Sequence, residues 1–250
     1  MGKTNIGWAA NSWNLYTWNC NRVSPGCANC YMFEMARNLH GVDATGTPSL
    51  RETAWAELQR LQPGPTFVNS MSDTYHEGVP LEWIQRIHNA ALTRPDIVFL
   101  LLTKRIERAA ELAPELRWPE NLWIGTTVEH PRYLHRLDTL QGMTYAAGRF
   151  VSFEPLLADM GRPDLRGIEG VIAGGESGPK RRYFNKQWAL GILAACLTYK
   201  VPFFFKQGSA HQPGQDRRLN GIFYDEVPKV WNWTPDGEHE AQTVQQQPLF

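Results

Sequence analysis

Three of the four cysteines lie close together, as Cys20, Cys27 and Cys30, in the spacing C-x6-C-x2-C. Thiolates are the soft ligands that iron–sulfur clusters and zinc select. Three of them on one loop hold three irons of a 4Fe–4S cluster and leave the fourth iron open for a ligand. Zinc is the alternative. A structural zinc wants four protein ligands, so His40 or Cys196 would have to complete the set. Cys196 sits inside the apolar stretch Lys186–Tyr199 and reads as a core residue, because a free cysteine packs as a small hydrophobe. Ser24-Pro25-Gly26 is turn chemistry that lets the loop fold back on itself. A disulfide framework fits poorly, since such frameworks use an even, dispersed set of cysteines in a small secreted chain.

The elements that must position such a loop follow from the rest of the chain. Short apolar runs recur at Thr66–Met71, Ile97–Thr103, Leu122–Val128, Arg149–Phe153, Gly170–Ala173 and Pro202–Phe205. Stretches of helical spacing lie among them, at Thr53–Leu61, Leu81–Leu92, Ile106–Leu116, Arg132–Leu140 and Lys186–Tyr199. Strands alternating with helices predict βαβ units and a parallel sheet. Each run ends in polar or charged residues: Ser70, Ser72 and Asp73; Lys104 and Arg105; Glu129; Ser152 and Glu154; Gly174, Gly175 and Glu176; Lys206 and Gln207. Active sites of (β/α) barrels are built at that end of the strands. With a further short strand near Asn5–Trp8, the expected fold is α/β, a (β/α) barrel or partial TIM-like barrel with an N-terminal three-cysteine loop. An open doubly wound sheet is the rival. One domain is expected over residues 1–232, carrying the loop at 20–30, with a flexible tail at 233–250.

A three-cysteine loop ahead of such an alternation resembles the radical S-adenosylmethionine (SAM) superfamily. More closely, the chain resembles the phage-associated three-Cys-motif family, of uncharacterised function. The resemblance is carried by Trp13–Trp18, Val23–Tyr31, Val68–Asp73, Leu101–Lys104, Ser152–Pro155, Ala173–Gly178 and Phe203–Gln207. Two features depart from the usual radical SAM pattern. Six residues rather than three separate the first two cysteines, and Gly174-Gly175-Glu176 comes late, the second-strand place being taken by Asn69–Asp73. The resemblance implies a 4Fe–4S cluster on Cys20, Cys27 and Cys30, and SAM held among Ser70, Ser72, Asp73, Glu129, Gly174, Gly175 and Glu176. It implies that Lys104, Glu154 and Lys206 act on the substrate, that an electron donor is a partner, and that a 5′-deoxyadenosyl radical abstracts a hydrogen. The phage association and the basic clusters suggest a nucleic-acid base or nucleotide as substrate. A zinc-stabilised protein that binds nucleic acid or docks a partner, without redox chemistry, is the alternative.

Other features narrow the function classes. With 25 basic and 25 acidic residues and 42% hydrophobic content, the chain is neither disordered nor a protein that wraps nucleic acid by charge alone. No apolar run approaches the ~20 residues that span a bilayer. The opening MGKTNIGWAANSW lacks a signal-peptide core, and Ile6 breaks the myristoylation pattern, so a cytoplasmic location is expected. Phosphates could be met by Lys180, Arg181, Arg182, Arg217 and Arg218, while Trp8, Trp13, Tyr16 and Trp18 are expected to shield a cluster from water. The terminal Gln246–Phe250 resembles the short peptide that docks on the bacterial sliding clamp, two apolar anchors on a tail.

Overall fold

The structure is a computed structural model that describes residue 4 and residues 6–233. Its frame is a parallel sheet of seven strands in sequential order. They are β1 (Asn11–Trp13), β2 (Gly64–Val68), β3 (Ile97–Thr103), β4 (Leu122–Thr127), β5 (Gly148–Phe153), β6 (Gly170–Gly174) and β7 (Phe203–Gln207). Helices α1 (Tyr31–His40), α2 (Ala54–Leu58), α3 (Leu81–Thr93), α4 (Ile106–Leu112), α5 (His135–Gly142) and α6 (Lys186–Tyr199) flank it. A two-stranded hairpin, β8 (Arg218–Leu219) with β9 (Ile222–Phe223), follows β7. The sheet is curled into a half-barrel, and β1 and β7 are its two ends in the strand order. None of the described helices is long and apolar enough to cross a membrane.

The sheet is apolar on both faces, as a parallel sheet covered by helices must be. Alternation along each strand sends Phe99, Leu101, Ile124, Val151, Phe153 and Phe205 into the main core, with the buried positions Ile84, Ile87, Ala91, Ile192 and Leu193 of α3 and α6. The intervening residues Leu100, Trp123, Phe150, Ile172 and Phe204 form a second cluster with Trp8 and Trp231. Trp8 bridges that face, 4.9 Å from Phe67 on β2 and 6.2 Å from Phe150 on β5 by ring centroids. The first strand is therefore Asn11–Trp13 rather than the expected segment near Asn5–Trp8. Asn5 lies outside the described residues, and Trp8 lies in a turn closed by the Ala9 amide on the Ile6 carbonyl at 2.9 Å. Large rings on the second face need small neighbours. A Cβ on Gly148 would lie 2.0 Å from Trp123 Cε2, and one on Gly125 2.6 Å from Phe150 Cζ.

Other expected elements were close. The run Ile97–Thr103 and the helix Lys186–Tyr199 have those bounds. The stretch Ile106–Leu116 is a helix to Leu112 and then a 3-10 turn, and Arg132–Leu140 is a 3-10 turn followed by α5. Cys196 is buried in the main core, as read from its surroundings. Residues 234–250, and with them the clamp-like Gln246–Phe250, lie outside the described residues.

Overpacking a filled core costs about 1–3 kcal/mol. Gly148→Ala should therefore lower the unfolding free energy by at least about that amount in urea. A change under about 0.5 kcal/mol would show that the Trp123 ring is not held against β5.

Candidate functional site

The thiol loop leaves β1 and crosses the end of the sheet where the strands finish. Three strand ends tie it down. After β3, Arg105 is 9% exposed and puts Nη1 3.0 Å from Asp73 and 3.8 Å from Cys20 Sγ, while its Nε donates to Glu77 at 2.6 Å. After β4, the fully buried Glu129 accepts from the Gly26 amide at 3.4 Å and pairs with Arg136 at 3.2 Å. Contact there is close enough that a Cβ on Gly26 would lie 3.0 Å from Glu129 Cγ. After β6, Glu176 accepts from Asn29 Nδ2 at 3.1 Å and pairs with Arg182, whose Nη2 reaches the Pro25 carbonyl at 3.0 Å. The turn Pro25–Cys27 and the start of α1 at Tyr31 are thereby fixed.

All three thiols of the loop open into one cavity of ≈ 260 Å³. It is also lined by Ser70, Ser72, Asp73, Lys104, Glu154, Gly175, Glu176 and Lys206, above a floor that includes Trp8, Phe67 and Leu102. None of these cysteines is in a disulfide. Among the described residues, no three His, Cys, Asp or Glu side chains converge as the ligands of one metal ion would.

The expected site residues divide by what they touch. Lys206 Nζ lies 3.4 Å from Glu154 Oε1, and Ser152 Oγ donates to Glu154 Oε2 at 3.3 Å. Lys104 lines the cavity and forms no ion pair among the described residues. Ser72 Oγ is buried without a hydrogen-bond partner. Ser70 shares a 2.7 Å hydrogen bond with Ser12. Asp73 has both oxygens taken, by Thr103 Oγ1 at 2.7 Å, the Lys104 amide at 3.2 Å and Arg105. Glu129 and Gly174 are not among the residues that line the cavity. Glu129 is turned to the thiol loop, and a Cβ on Gly174 would meet Glu154 Oε1 at 2.8 Å, so this glycine makes room for that carboxylate.

His40, the expected fourth zinc ligand, packs edge-on against Trp18 with ring centroids 5.1 Å apart, and it does not line the cavity. Of the four aromatics expected to shield the cysteines, Trp18 packs, as Cys20 and Cys30 do, against the small cluster of Met32, Phe33, Ala36, Ala44 and Met71, and Trp8 lies in the floor. Trp13 and Tyr16 belong to the main core. Asn29 and Arg136 are not expected from the sequence to serve the site, whereas Arg105 is expected as a strand-end residue and Arg182 as a phosphate contact rather than as an anchor of the thiol loop. Asn29 lies between two of the cysteines, which is the available signal.

Electrostatics set the state of the thiols. Burial, reinforced by Asp73 and opposed by Arg105, pushes the Cys20 thiol up to about 12. Burial also raises Cys30, against the pull of the Met32 and Phe33 amides at the start of α1 and of Lys104. Buried thiols without a cation stay protonated, and binding a metal would drive the protons off. The anchoring carboxylates behave oppositely. Burial opposes the ionisation of Glu176, but donors from Arg182 and Asn29 outweigh it and hold the carboxyl below its usual range. Burial likewise opposes the ionisation of Glu77, yet Asn21 and Arg105 hold it at about 2.

A model of the family described as "Protein of unknown function (DUF5131)" matches residues 3–232. The chain belongs to this family. No curated protein and no solved structure matches it.

Removing one partner of a buried ion pair costs about 3–5 kcal/mol. Glu129→Ala should cost that much by stranding Arg136, and should speed alkylation of Cys27 by iodoacetamide under native conditions. An unchanged alkylation rate would mean that Glu129 does not hold the loop.

Proposed function

We propose that this chain is an iron–sulfur enzyme of the radical SAM type on a partial TIM-like barrel, acting on a nucleic-acid base or nucleotide, as the resemblance to the three-Cys-motif family implies. One observation carries the reading: three free thiols of a single loop after β1 open into one cavity at the C-terminal ends of parallel strands. The donor set fits the group by its chemistry: the three are free thiols on one loop, and thiolates are the soft ligands that the irons of a 4Fe–4S cluster take, one to each iron.

A cluster held by Cys20, Cys27 and Cys30 would supply one-electron reductive chemistry, passing an electron from an external donor to the sulfonium of SAM for its cleavage to methionine and a 5′-deoxyadenosyl radical. The chain's own residues do the rest. Cys20, Cys27 and Cys30 hold the cluster, positioned by Glu129, Glu176 and Arg105. Ser72, whose buried Oγ has no hydrogen-bond partner, and Lys104, without an ion pair among the described residues, are lining groups left free to bond SAM. Glu154 and Lys206, paired at 3.4 Å, line the cavity and orient the substrate through charged hydrogen bonds. The apolar floor of Trp8, Phe67 and Leu102 offers water no hydrogen-bond partner, and a water-poor site strengthens the charged contacts within it.

Anaerobic reconstitution with iron and sulfide should leave about four irons per chain and a brown protein. The triple variant Cys20→Ala, Cys27→Ala, Cys30→Ala should retain none. Dithionite-reduced protein with SAM should release 5′-deoxyadenosine. Iron retention no better than that of the triple variant, or a single zinc bound without sulfide, would overturn the reading.

A further inference from the structure

A second cavity, of ≈ 540 Å³, lies against the first. Ile6 and Lys206 line both. It is walled by the segment before β1, the residues before β2 and the loop after β7, so it sits beside both end strands of the half-barrel. Its walls are pinned. Asn11 Nδ2 donates to the Gln62 carbonyl at 2.9 Å, the Ala10 amide to Pro65 at 2.9 Å, and the Gly214 amide to Gln207 Oε1 at 2.8 Å.

The charge of this cavity is one-sided. Among the described residues its lining holds three cations, Arg60, Lys206 and Arg217, and no carboxylate. Arg217 is fixed by its ion pair with Asp225 and by the rings of Phe204 and Phe223, whose centroids lie 5.4 and 5.8 Å from its Cζ. The guanidinium of Arg60 is exposed and has no partner among the described residues. Two arginines and a lysine around a preformed space suit a phosphate, which arginine grips with two parallel N–H bonds. Trp233 in the same wall offers an aromatic surface for a base. The first cavity, at ≈ 260 Å³, falls below the ~300–1,000 Å³ of sites that bury a small-molecule ligand whole. A substrate that reacts beside the thiols can extend past Lys206, which lines both cavities.

We infer that this second cavity binds the phosphate of a nucleotide unit, through Arg60 and Arg217, while its reacting part passes Lys206 into the thiol-lined cavity. The inference rests on the proposed function only for what happens in the first cavity. Phosphate binding itself needs no cluster, so the two stand or fall separately.

The test is calorimetric binding to the full-length protein without iron, using deoxyadenosine 5′-monophosphate, deoxyadenosine and a ten-nucleotide single-stranded oligodeoxynucleotide. The monophosphate should bind at least about ten-fold more tightly than the nucleoside, as charged hydrogen bonds allow. Arg60→Ala should remove most of that difference, Arg60→Glu should abolish it, and Arg37→Ala, on the exposed side of α1, should leave it intact. Tighter binding of the oligonucleotide would assign the phosphate to a nucleic-acid strand, and equal binding to a free nucleotide. Equal affinity for nucleoside and monophosphate, no binding of any of the three probes, or binding unaffected by both Arg60 variants would overturn the inference. A protein that holds iron yet fails these measurements loses only the phosphate site. One that passes them without holding iron loses only the radical chemistry.

Discussion

A loop carrying three thiols, with a single 3-10 turn at Pro25–Cys27 as its own secondary structure, is aimed by how its backbone is tied to the strand ends. The ties are buried or half-buried ion pairs whose acidic members also accept from the loop: Glu129 from the Gly26 amide and Glu176 from Asn29. Arg105 does the same with opposite sign, holding Asp73 and Glu77 while reaching Cys20 Sγ. Such pairs add little net stability over well-packed apolar residues, because desolvation offsets most of the attraction. Their effect is directional. An apolar strand end would bury as much surface and would leave the loop free to point its cysteines elsewhere.

The sheet prepares the space that the loop closes. Along the second face, alternate residues change from apolar to polar as each strand reaches its C-terminal end. Phe150 is followed by Ser152 and Glu154, Trp123 by Gly125 and Thr127, and Phe204 by Lys206. A parallel sheet in sequential order brings these ends together, which is why residues far apart in the chain share one cavity. The large rings beneath fit because Gly125 and Gly148 give up the space that a Cβ would take. The same face is thus a dry floor at one level and a charged mouth at the next.

Much of this was legible in the chain. Ile97–Thr103 and Lys186–Tyr199 declare themselves because each is long, apolar and bounded by polar residues or turns. The strand-end residues Lys104, Glu154 and Lys206 were found because position alone placed them in the mouth. What position could not show was pairing. Glu129 and Asp73 look like ligand-binding carboxylates until Arg136 and Arg105 are seen to occupy them. Helix α1 went unread because its buried side consists only of Met32, Phe33 and Ala36 in a polar segment that follows the cysteines. The first strand was misplaced because Trp8, the most conspicuous apolar residue of that stretch, plugs the inner face from a turn instead of lying in a strand.

Zero net charge hides a division of labour. Around the thiol loop the charges cancel at short range, Arg136 with Glu129, Arg182 with Glu176 and Lys206 with Glu154. A neutralised surround would suit the proposed cluster, whose thiol ligands would lose their protons on binding it, because the charge balance would then lie with the bound group. Next door the cancellation is incomplete. Among the described residues Arg60 has no partner, while Arg217 and Lys206 meet their acids, Asp225 and Glu154, outside the cavity lining. A cleft with walls of one sign focuses its field and draws in ligands of the opposite sign, so an anion would be met here before it reaches the balanced interior. Overall neutrality argues against binding by bulk charge, yet it is fully compatible with one cationic entrance, because composition counts charges and only the fold decides which are already spent on each other.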